Sequence, residues 1–114
     1  MTETIFDKII SKEISSDIIY EDDQYLAFSD INPQAPVHIL IIPKKRIPTI
    51  NDVDKSDAKT IGEMVLIAKK IAKNKQIDKD GYRLVFNCND HGGQSVFHIH
   101  LHLLGGRQLN WPPG

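Results

Sequence analysis

The chain is poor in the features that mark secreted, membrane-bound or nucleic-acid-binding proteins. Its single cysteine, Cys88, excludes an internal disulfide framework and a cysteine-rich zinc site. Its 14 Lys and Arg residues are balanced by 15 Asp and Glu residues, and the formal net charge of −1 gives no long-range attraction to nucleic acid or membrane surfaces. No apolar run approaches the roughly 18 residues of a membrane span, and the N-terminal segment carries acidic residues where a signal peptide needs basic ones. These absences favour a soluble cytoplasmic protein, with a nuclear location left open.

Low-complexity tracts, internal repeats and Gly/Ser linkers are also missing. A chain of 114 residues without them is expected to form one domain, residues 1–114. Its hydrophobic content of 40% and charged content of 25% are typical of a globular protein rather than a disordered one.

The hydrophobic pattern predicts short strands around one long helix. Apolar residues at helical spacing predict a short helix over residues 4–13 and a long helix over residues 54–76. The predicted strands cover residues 17–22, 25–30, 37–43, 82–86 and 97–106. Because most of the links are too short for parallel crossovers, the order favours an α+β fold with an antiparallel sheet.

The last predicted strand carries histidine at every second position, at His98, His100 and His102. Successive side chains of a strand point to opposite faces, so the three imidazoles are expected to share one face. The apolar residues between them share the other face, which can pack under a helix. We expect the histidine face to look into a cleft or at solvent, because imidazoles fill a core poorly.

Three interpretations of these histidines compete. They could be polar residues that merely face outward. They could hold a metal ion, in which case two of the three would need His38 or His91 as a further ligand. They could act on a phosphate, with one neutral imidazole as the nucleophile and another as a hydrogen-bond donor to a phosphate oxygen.

The loop before the strand favours phosphate chemistry. Residues 91–95 read HGGQS, and two glycines let backbone N–H groups approach an anion without a Cβ in the way. Gln94 adds an amide and Ser95 adds a hydroxyl. The loop therefore predicts an oxyanion cradle beside a nucleophile.

The run GGQSVFHIHLHLLGGRQLNWPPG resembles the signature end of a histidine triad protein, and the segment His98 to Leu104 fits the triad pattern fully. The stretches TIFDKIISKEI, FSDINPQAPVHILIIPKK and GYRLVFN also resemble the same family in order. The resemblance is to the branch of histidine triad nucleotide-binding proteins, also called Hint or protein kinase C inhibitor-like, and it covers essentially the whole chain.

The resemblance implies a five-stranded antiparallel sheet with two helices, paired in a homodimer into one ten-stranded sheet. The long helix and the YRLVF strand would lie at that interface. It implies hydrolysis of purine nucleoside phosphoramidates, such as AMP joined to an amine, with no cofactor and no resident metal. Two alternatives stay open: a non-catalytic adaptor that binds nucleotide or zinc, and a dinucleoside polyphosphate hydrolase.

Catalytic roles carry over from the family by position. His100 matches the nucleophile that forms a nucleotidyl-imidazole intermediate, and His102 matches the residue that hydrogen-bonds the α-phosphate. Ser95 matches the hydroxyl near the leaving nitrogen. His98 and His38 would set the tautomer and orientation of His100, with the backbone carbonyl of His98 as the acceptor for its other ring nitrogen.

Nucleotide-binding roles carry over in the same way. Asp30 matches the carboxylate that takes the ribose hydroxyls, although without the resemblance it reads as a turn residue. The positions matching phosphate and loop contacts are Asn87, Gly93, Gln94 and Val96. The positions matching an apolar slot for the purine are Phe6, Ile9, Ile14, Phe28, Ile31 and Leu40, all of which periodicity alone would assign to the core.

Trp111, the only tryptophan, lies in a stiff tail with two prolines. The resemblance makes it a candidate specificity residue acting across the dimer, and packing on its own subunit is the alternative. Cys88 and His91 depart from the family pattern and receive no role; we expect His91 to be a solvated loop residue.

Overall fold

The computed structural model describes residues 3–114. The strands are β1 (Ile18–Glu21), β2 (Tyr25–Ser29), β3 (Val37–Pro43), β4 (Tyr82–Val85) and β5 (Leu101–Gly105). The helices are α1 (Ile5–Ile10), α2 (Ala58–Asn74) and the single turn α3 (Asn89–Gly92). The strands form one sheet in the order β1-β2-β3-β5-β4, and all neighbours are antiparallel. This confirms the predicted five-stranded antiparallel α+β fold, and α3 is a short addition within a predicted loop.

One face of the sheet is covered by α2. Two 3₁₀ turns, Ile50–Asp52 and Lys55–Asp57, lead into this helix. The buried residues of this side include Met64, Ile67, Ala68, Ile71 and Ala72 of α2 with Ile39, Ile41, Leu101 and Leu103 of the sheet. The prediction that the apolar side of the histidine strand packs under a helix is therefore confirmed.

No helix in the described part of the chain is long and apolar enough to cross a membrane.

The opposite face is covered by the short helix α1. Its buried cluster consists of Phe6 and Ile9 of α1 with Leu26, Phe28, Leu40 and Ile42 of the sheet. The central strand β3 is therefore buried on both faces, which explains its continuous apolar run after His38.

Local interactions set the ends of α1. The Thr4 hydroxyl accepts the N–H groups of Phe6 and Asp7, and the Asp7 carboxylate accepts the Thr4 N–H at 2.7 Å, which closes a capping box. The helix ends at Ile10, short of the predicted end at residue 13. Lys12 has a φ of 68°, and this left-handed conformation cannot continue a right-handed helix.

The hydrogen-bonded strand β5 begins at Leu101, whereas the sequence predicted a strand from residue 97. Pairing with β3 starts at Leu101, opposite Ile41. Before that point the Ile99 N–H donates to the Ile47 carbonyl at 2.7 Å, in the segment that follows β3. Two of the three histidines, His98 and His100, therefore precede the strand.

The histidine face is also more enclosed than predicted. His98 is fully buried and His100 is only 6% exposed, because α1 covers them, while His102 is half-buried. The expectation of a face open to a cleft or to solvent is wrong for the first two rings. The aromatic side chain of Phe6 makes this enclosure, with its ring centroid 6.0 Å from that of His98 and 5.0 Å from that of His100.

The packing between α2 and the sheet predicts the effect of a core truncation. Met64→Ala should lower the free energy of unfolding by about 2–5 kcal/mol, since Met64 is fully buried and its loss leaves a cavity. Chemical denaturation measures this change. The matched control is Ile31→Ala at a side chain 93% exposed, which should stay within about 0.5 kcal/mol of the parent. Equal losses in both variants would contradict the core described above.

Candidate active site

The candidate site lies on the α1 side of the sheet, where β3 and the start of β5 run side by side. His102 pairs with Leu40 in the ladder, and His38 pairs with Leu104. Directly opposite residues share a face of the sheet, so His38 and His102 both lie on the side of Leu40 and α1. The ladder register thus assembles histidines that are 64 positions apart in the chain.

The His98 ring is anchored to the end of β3. Its Nε2 lies 2.7 Å from the carbonyl oxygen of Pro43. A carbonyl can only accept, so Nε2 carries the hydrogen, and in the neutral ring Nδ1 is bare. Nδ1 is buried and has no hydrogen-bond partner among the described residues.

The tautomer of His100 is set by the backbone. Its Nδ1 lies 2.8 Å from the carbonyl oxygen of His98, so Nδ1 donates to that oxygen and Nε2 keeps its lone pair. This is the contact that the family resemblance implies. The ring is therefore held in the form that a nucleophile needs.

His38 and His102 form a second ordered chain of hydrogen bonds. The backbone N–H of Gln34 donates to Nδ1 of His38 at 3.0 Å, so the neutral His38 ring carries its hydrogen on Nε2. That Nε2 donates to Nδ1 of His102 at 2.9 Å, and His102 must then carry its own hydrogen on Nε2. The Nε2 atom of His102 is buried and has no partner among residues 3–114.

His38 therefore lies beside His102 and not beside His100. The prediction that His38 orients His100 is corrected by this geometry, since the Nε2 of His38 is engaged by His102. The centroids of the His100 and His102 rings are 5.0 Å apart. The site thus presents one bare nitrogen and one N–H donor on neighbouring rings.

Burial keeps these rings uncharged. Desolvation lowers the pKa of His38, His98 and His100 below the usual value for histidine. The pKa of His102 falls to about 4, mainly through desolvation and then through the neighbouring rings of His100 and His38, which together outweigh the Asp30 carboxylate. At neutral pH the donor and the bare nitrogen therefore coexist without charge on either ring.

Asp30 joins the second chain at its edge. Its Oδ2 lies 3.4 Å from Nε2 of His38. Its Oδ1 accepts the backbone N–H of Asn32 at 2.8 Å, which is the turn interaction that the sequence also allowed. One carboxylate oxygen is thus held by the turn while the other faces the histidines.

Asp30, His38 and His102 also have ligand atoms within 4.8 Å of one another. This is not the predicted metal set, because it takes one triad histidine instead of two. The two nitrogens 2.9 Å apart are already joined by a hydrogen bond. At zinc–nitrogen distances of about 2.0–2.1 Å they would subtend an angle of about 90°, so a tetrahedral ion would have to spread the rings.

The glycine loop is built differently from the predicted cradle. The Gly93 N–H caps α3 by donating to the Asp90 carbonyl, and Gly93 has a φ of 83°. The Gln94 side chain is buried: its oxygen accepts the Asn89 N–H, and its NH₂ donates to the carbonyls of Pro48 and Val96. The Gly93 N–H and the Gln94 side-chain amide are therefore engaged within the loop, and a contact of either residue with a nucleotide stays a prediction. Ser95 follows them and is exposed.

The six predicted purine contacts separate into two groups. Phe6, Ile9, Phe28 and Leu40 belong to the buried cluster under α1, with Val96 packed against it. Ile14 is 37% exposed and Ile31 is 93% exposed, so these two side chains lie open on the surface. The structure brings the first group together and does not bring the other two into the cluster.

A cleft of about 740 Å³ opens beside His38 and His102 and includes Asn87 and Trp111. The Trp111 side chain is 83% exposed, so it is not packed on its own core. His91 is exposed, as expected for a solvated residue, and Cys88 is half-buried.

Sequence reasoning missed several residues of the site. Arg83 and Arg107 line the same cleft and give it positive charge. Both lie within segments that resemble the family, and this position was the sequence signal that could have identified them. Asp7 and Arg46 contact each other next to His98. No sequence signal connects these two residues, since they are 39 positions apart.

Comparison with known proteins agrees with this geometry. A HIT domain family model matches residues 11–109. The purine nucleoside phosphoramidase of Escherichia coli strain K12 is 60% identical over 107 residues, which cover 94% of this chain and 90% of that protein. The chain therefore belongs to the HIT family.

Solved structures of the family match closely. A HIT family hydrolase from Legionella pneumophila Philadelphia 1 superposes with a TM-score of 0.96 at 54% identity, covering 98% of this chain and 100% of that one. A histidine triad nucleotide-binding protein from Candida albicans has a TM-score of 0.81 at 30% identity, covering 96% of this chain and 83% of that one.

The tautomers can be tested by ¹⁵N NMR of the histidine rings. We expect Nδ1–H for His100 and Nε2–H for His38, His98 and His102, because each is imposed by a backbone group or by a neighbouring ring. His102 should stay neutral until the pH approaches about 4. The exposed His91 is the internal reference for a ring in contact with solvent. An Nε2–H tautomer at His100 would contradict the site described here.

Proposed function

We propose that this chain hydrolyses the P–N bond of purine nucleoside phosphoramidates, releasing the nucleoside monophosphate and an amine. One observation carries the proposal: the His100 ring, with its bare Nε2, lies 5.0 Å between centroids from the His102 ring, whose Nε2–H has no partner among residues 3–114. A phosphoryl group needs both, a nucleophile for phosphorus and a donor for its oxygen. The 60% identity to a purine nucleoside phosphoramidase supports the choice of substrate class.

In the first step, the Nε2 lone pair of His100 forms a bond to phosphorus while the P–N bond to the amine breaks. The leaving amine needs a proton, which the Ser95 hydroxyl passes on from water, and the hydroxide left behind is neutralised by the proton released in the second step. His100 then carries phosphorus on Nε2 and hydrogen on Nδ1, so the ring is a cation held by the His98 carbonyl. His102 donates Nε2–H to a non-bridging phosphate oxygen.

In the second step, water attacks phosphorus and the Nε2–P bond breaks. The products are the nucleoside monophosphate and a proton, and His100 returns to its neutral form. His38 supports both steps indirectly, since its Nε2–H fixes the tautomer of His102. His98 supports both steps because its carbonyl fixes the tautomer of His100 and its own ring is held by the Pro43 carbonyl.

Nucleotide recognition is assigned to the remaining predicted residues. Asp30 would take the ribose hydroxyls with the carboxylate oxygen that faces the site. Asn87 and Val96 would contact the phosphate end. The purine slot would be formed by the surface of Phe6, Ile9, Phe28 and Leu40 together with the exposed side chains of Ile14 and Ile31.

A non-catalytic adaptor that binds zinc or nucleotide is the second candidate. The proximity of Asp30, His38 and His102 is the observation that favours it. Elemental analysis after dialysis separates the two functions when combined with a turnover assay, since the adaptor requires stoichiometric metal, or AMP binding without cleavage.

We further propose that two copies pair through the outer edge of β4, extending the sheet to ten strands with α2 alongside. β4 is an edge strand, and self-pairing about a two-fold axis would satisfy its outer backbone groups. The exposed Trp111 would then act on the site of the neighbouring subunit. For location we propose the cytoplasm; the curated bacterial relative gives no support for a nuclear location.

Replacing the nucleophile tests the chemistry. His100→Ala should lower turnover of an AMP-amine substrate at least a hundredfold, because it removes the Nε2 lone pair proposed to attack phosphorus. AMP binding, measured by calorimetry, should persist. His91→Ala is the matched control and should keep parental turnover, since His91 is exposed and belongs to neither chain of histidine hydrogen bonds. Near-normal turnover in His100→Ala would overturn the assigned nucleophile, and faster turnover of diadenosine substrates by the parent would favour the polyphosphate hydrolase.

Mixed dimers test the position of Trp111. In sedimentation equilibrium, the protein should have twice the 12.9 kDa mass of one chain. In a heterodimer of one His100→Ala chain and one Trp111→Ala chain, the single working His100 lies in the chain that lacks Trp111. If Trp111 acts across the dimer, this heterodimer should show parental substrate preference. If the heterodimer instead shows the substrate preference of the Trp111→Ala homodimer, Trp111 acts on the site of its own subunit.

A further inference from the structure

An ion pair lies behind the His98 ring, on the side away from Pro43. Asp7 of α1 forms a salt bridge with Arg46, which follows β3. The other carboxylate oxygen of Asp7 lies 3.9 Å from Nδ1 of His98. Asp7 is also held by the Thr4 N–H at 2.7 Å, so the helix cap and the ion pair fix the same carboxylate.

The His98 ring can exist in two charge states at this position. The neutral ring donates Nε2–H to Pro43 and leaves Nδ1 bare and buried. A protonated ring would carry a second hydrogen on Nδ1, facing the Asp7 carboxylate. At 3.9 Å this nitrogen and oxygen are too far apart for a hydrogen bond, which fits the neutral ring.

The charged and titratable groups that face His98 come from three segments. Asp7 faces it from α1, Arg46 from the segment after β3, and His100 from its own segment. Burial lowers the pKa of His98, the Pro43 carbonyl and Asp7 raise it, and Arg46 lowers it. Burial also raises the pKa of Asp7, but the Thr4 N–H, Arg46 and His98 outweigh this and hold it below its usual value. The carboxylate is therefore ionised at neutral pH, and Arg46 offsets part of the negative charge that His98 experiences.

The charge state of His98 matters for the proposed reaction. The covalent intermediate puts a positive charge on the His100 ring, which is hydrogen-bonded to the His98 carbonyl at 2.8 Å. A positive charge on the adjacent, fully buried His98 ring would repel that cation in a low-dielectric environment. The reaction consequently requires an uncharged His98.

We propose that Arg46 is a positioning residue that neutralises Asp7 and so adds to burial in keeping His98 uncharged while His100 carries the positive charge of the intermediate. The consequence for turnover rests on the proposed phosphoramidate hydrolysis. The charge balance at His98 does not rest on it and can be measured separately.

The chain contains a matched control in the adjacent residue. Lys45 forms an ion pair with Asp57 at 2.6 Å, and Asp57 closes a capping box just as Asp7 does. Lys45→Gln and Arg46→Gln therefore each remove one cation from a capping carboxylate in the same segment, but only Asp7 faces a histidine of the triad.

The first experiment follows the His98 ring by NMR and the acid limb of kcat/KM in Arg46→Gln. With Asp7 unbalanced, the His98 titration should move to higher pH by about half a unit or more. The acid limb should move the same way, which is roughly a threefold loss of kcat/KM at a fixed acidic pH. Lys45→Gln should leave both quantities at the parental values, and Arg46→Lys should restore them.

The second experiment removes the carboxylate as well. Asp7→Asn keeps an oxygen for the Thr4 N–H, so the cap is preserved while the charge is lost. In the Asp7→Asn/Arg46→Gln double variant the His98 titration and the acid limb should return to near the parental values. A merely structural role predicts added losses in the double variant, with a lower Tm and an unmoved pH profile.

The outcomes separate the two levels of the proposal. An unmoved His98 titration in Arg46→Gln overturns the charge balance, whatever the activity. A moved titration with an unmoved acid limb overturns the link to turnover. If the parent itself hydrolyses no phosphoramidate, the proposed function fails while the His98 titration still decides the charge balance.

Discussion

The hydrogen bond from Nδ1 of His100 to the carbonyl of His98 is the interaction on which the site depends. No further side chain is needed for it, because the acceptor is the backbone carbonyl two residues earlier. It fixes the tautomer because a carbonyl can only accept, and it directs the remaining lone pair away from the backbone. The rest of the structure holds that carbonyl in place, through the anchor of the His98 ring on Pro43 and through the contact of Phe6 with both rings.

A second chain of hydrogen bonds ends in a free donor, whereas the first ends in a free acceptor. It starts at the Gln34 N–H, passes through His38 and leaves an N–H on Nε2 of His102. Two backbone groups of opposite character, a donor and an acceptor, therefore set the hydrogens of neighbouring rings. Burial completes the arrangement, because desolvation keeps all four rings neutral at physiological pH.

The short helix α1 links folding to chemistry. Its capping carboxylate, Asp7, also faces His98, and its aromatic residue, Phe6, covers the rings of His98 and His100. A helix of this length has little stability of its own, so its cap and its packing must hold it. The same contacts that keep the helix folded therefore also cover the rings of His98 and His100.

The sequence by itself determined the antiparallel α+β fold, the long helix and the common side of His98, His100 and His102, because alternation and helical periodicity are local properties of the chain. It did not determine that Gly93 and Gln94 fasten their own loop, nor that His38 meets His102. Those contacts depend on strand register and on segments far apart in sequence. Only the tertiary structure decided which rings are buried, and burial together with hydrogen-bond geometry sets protonation.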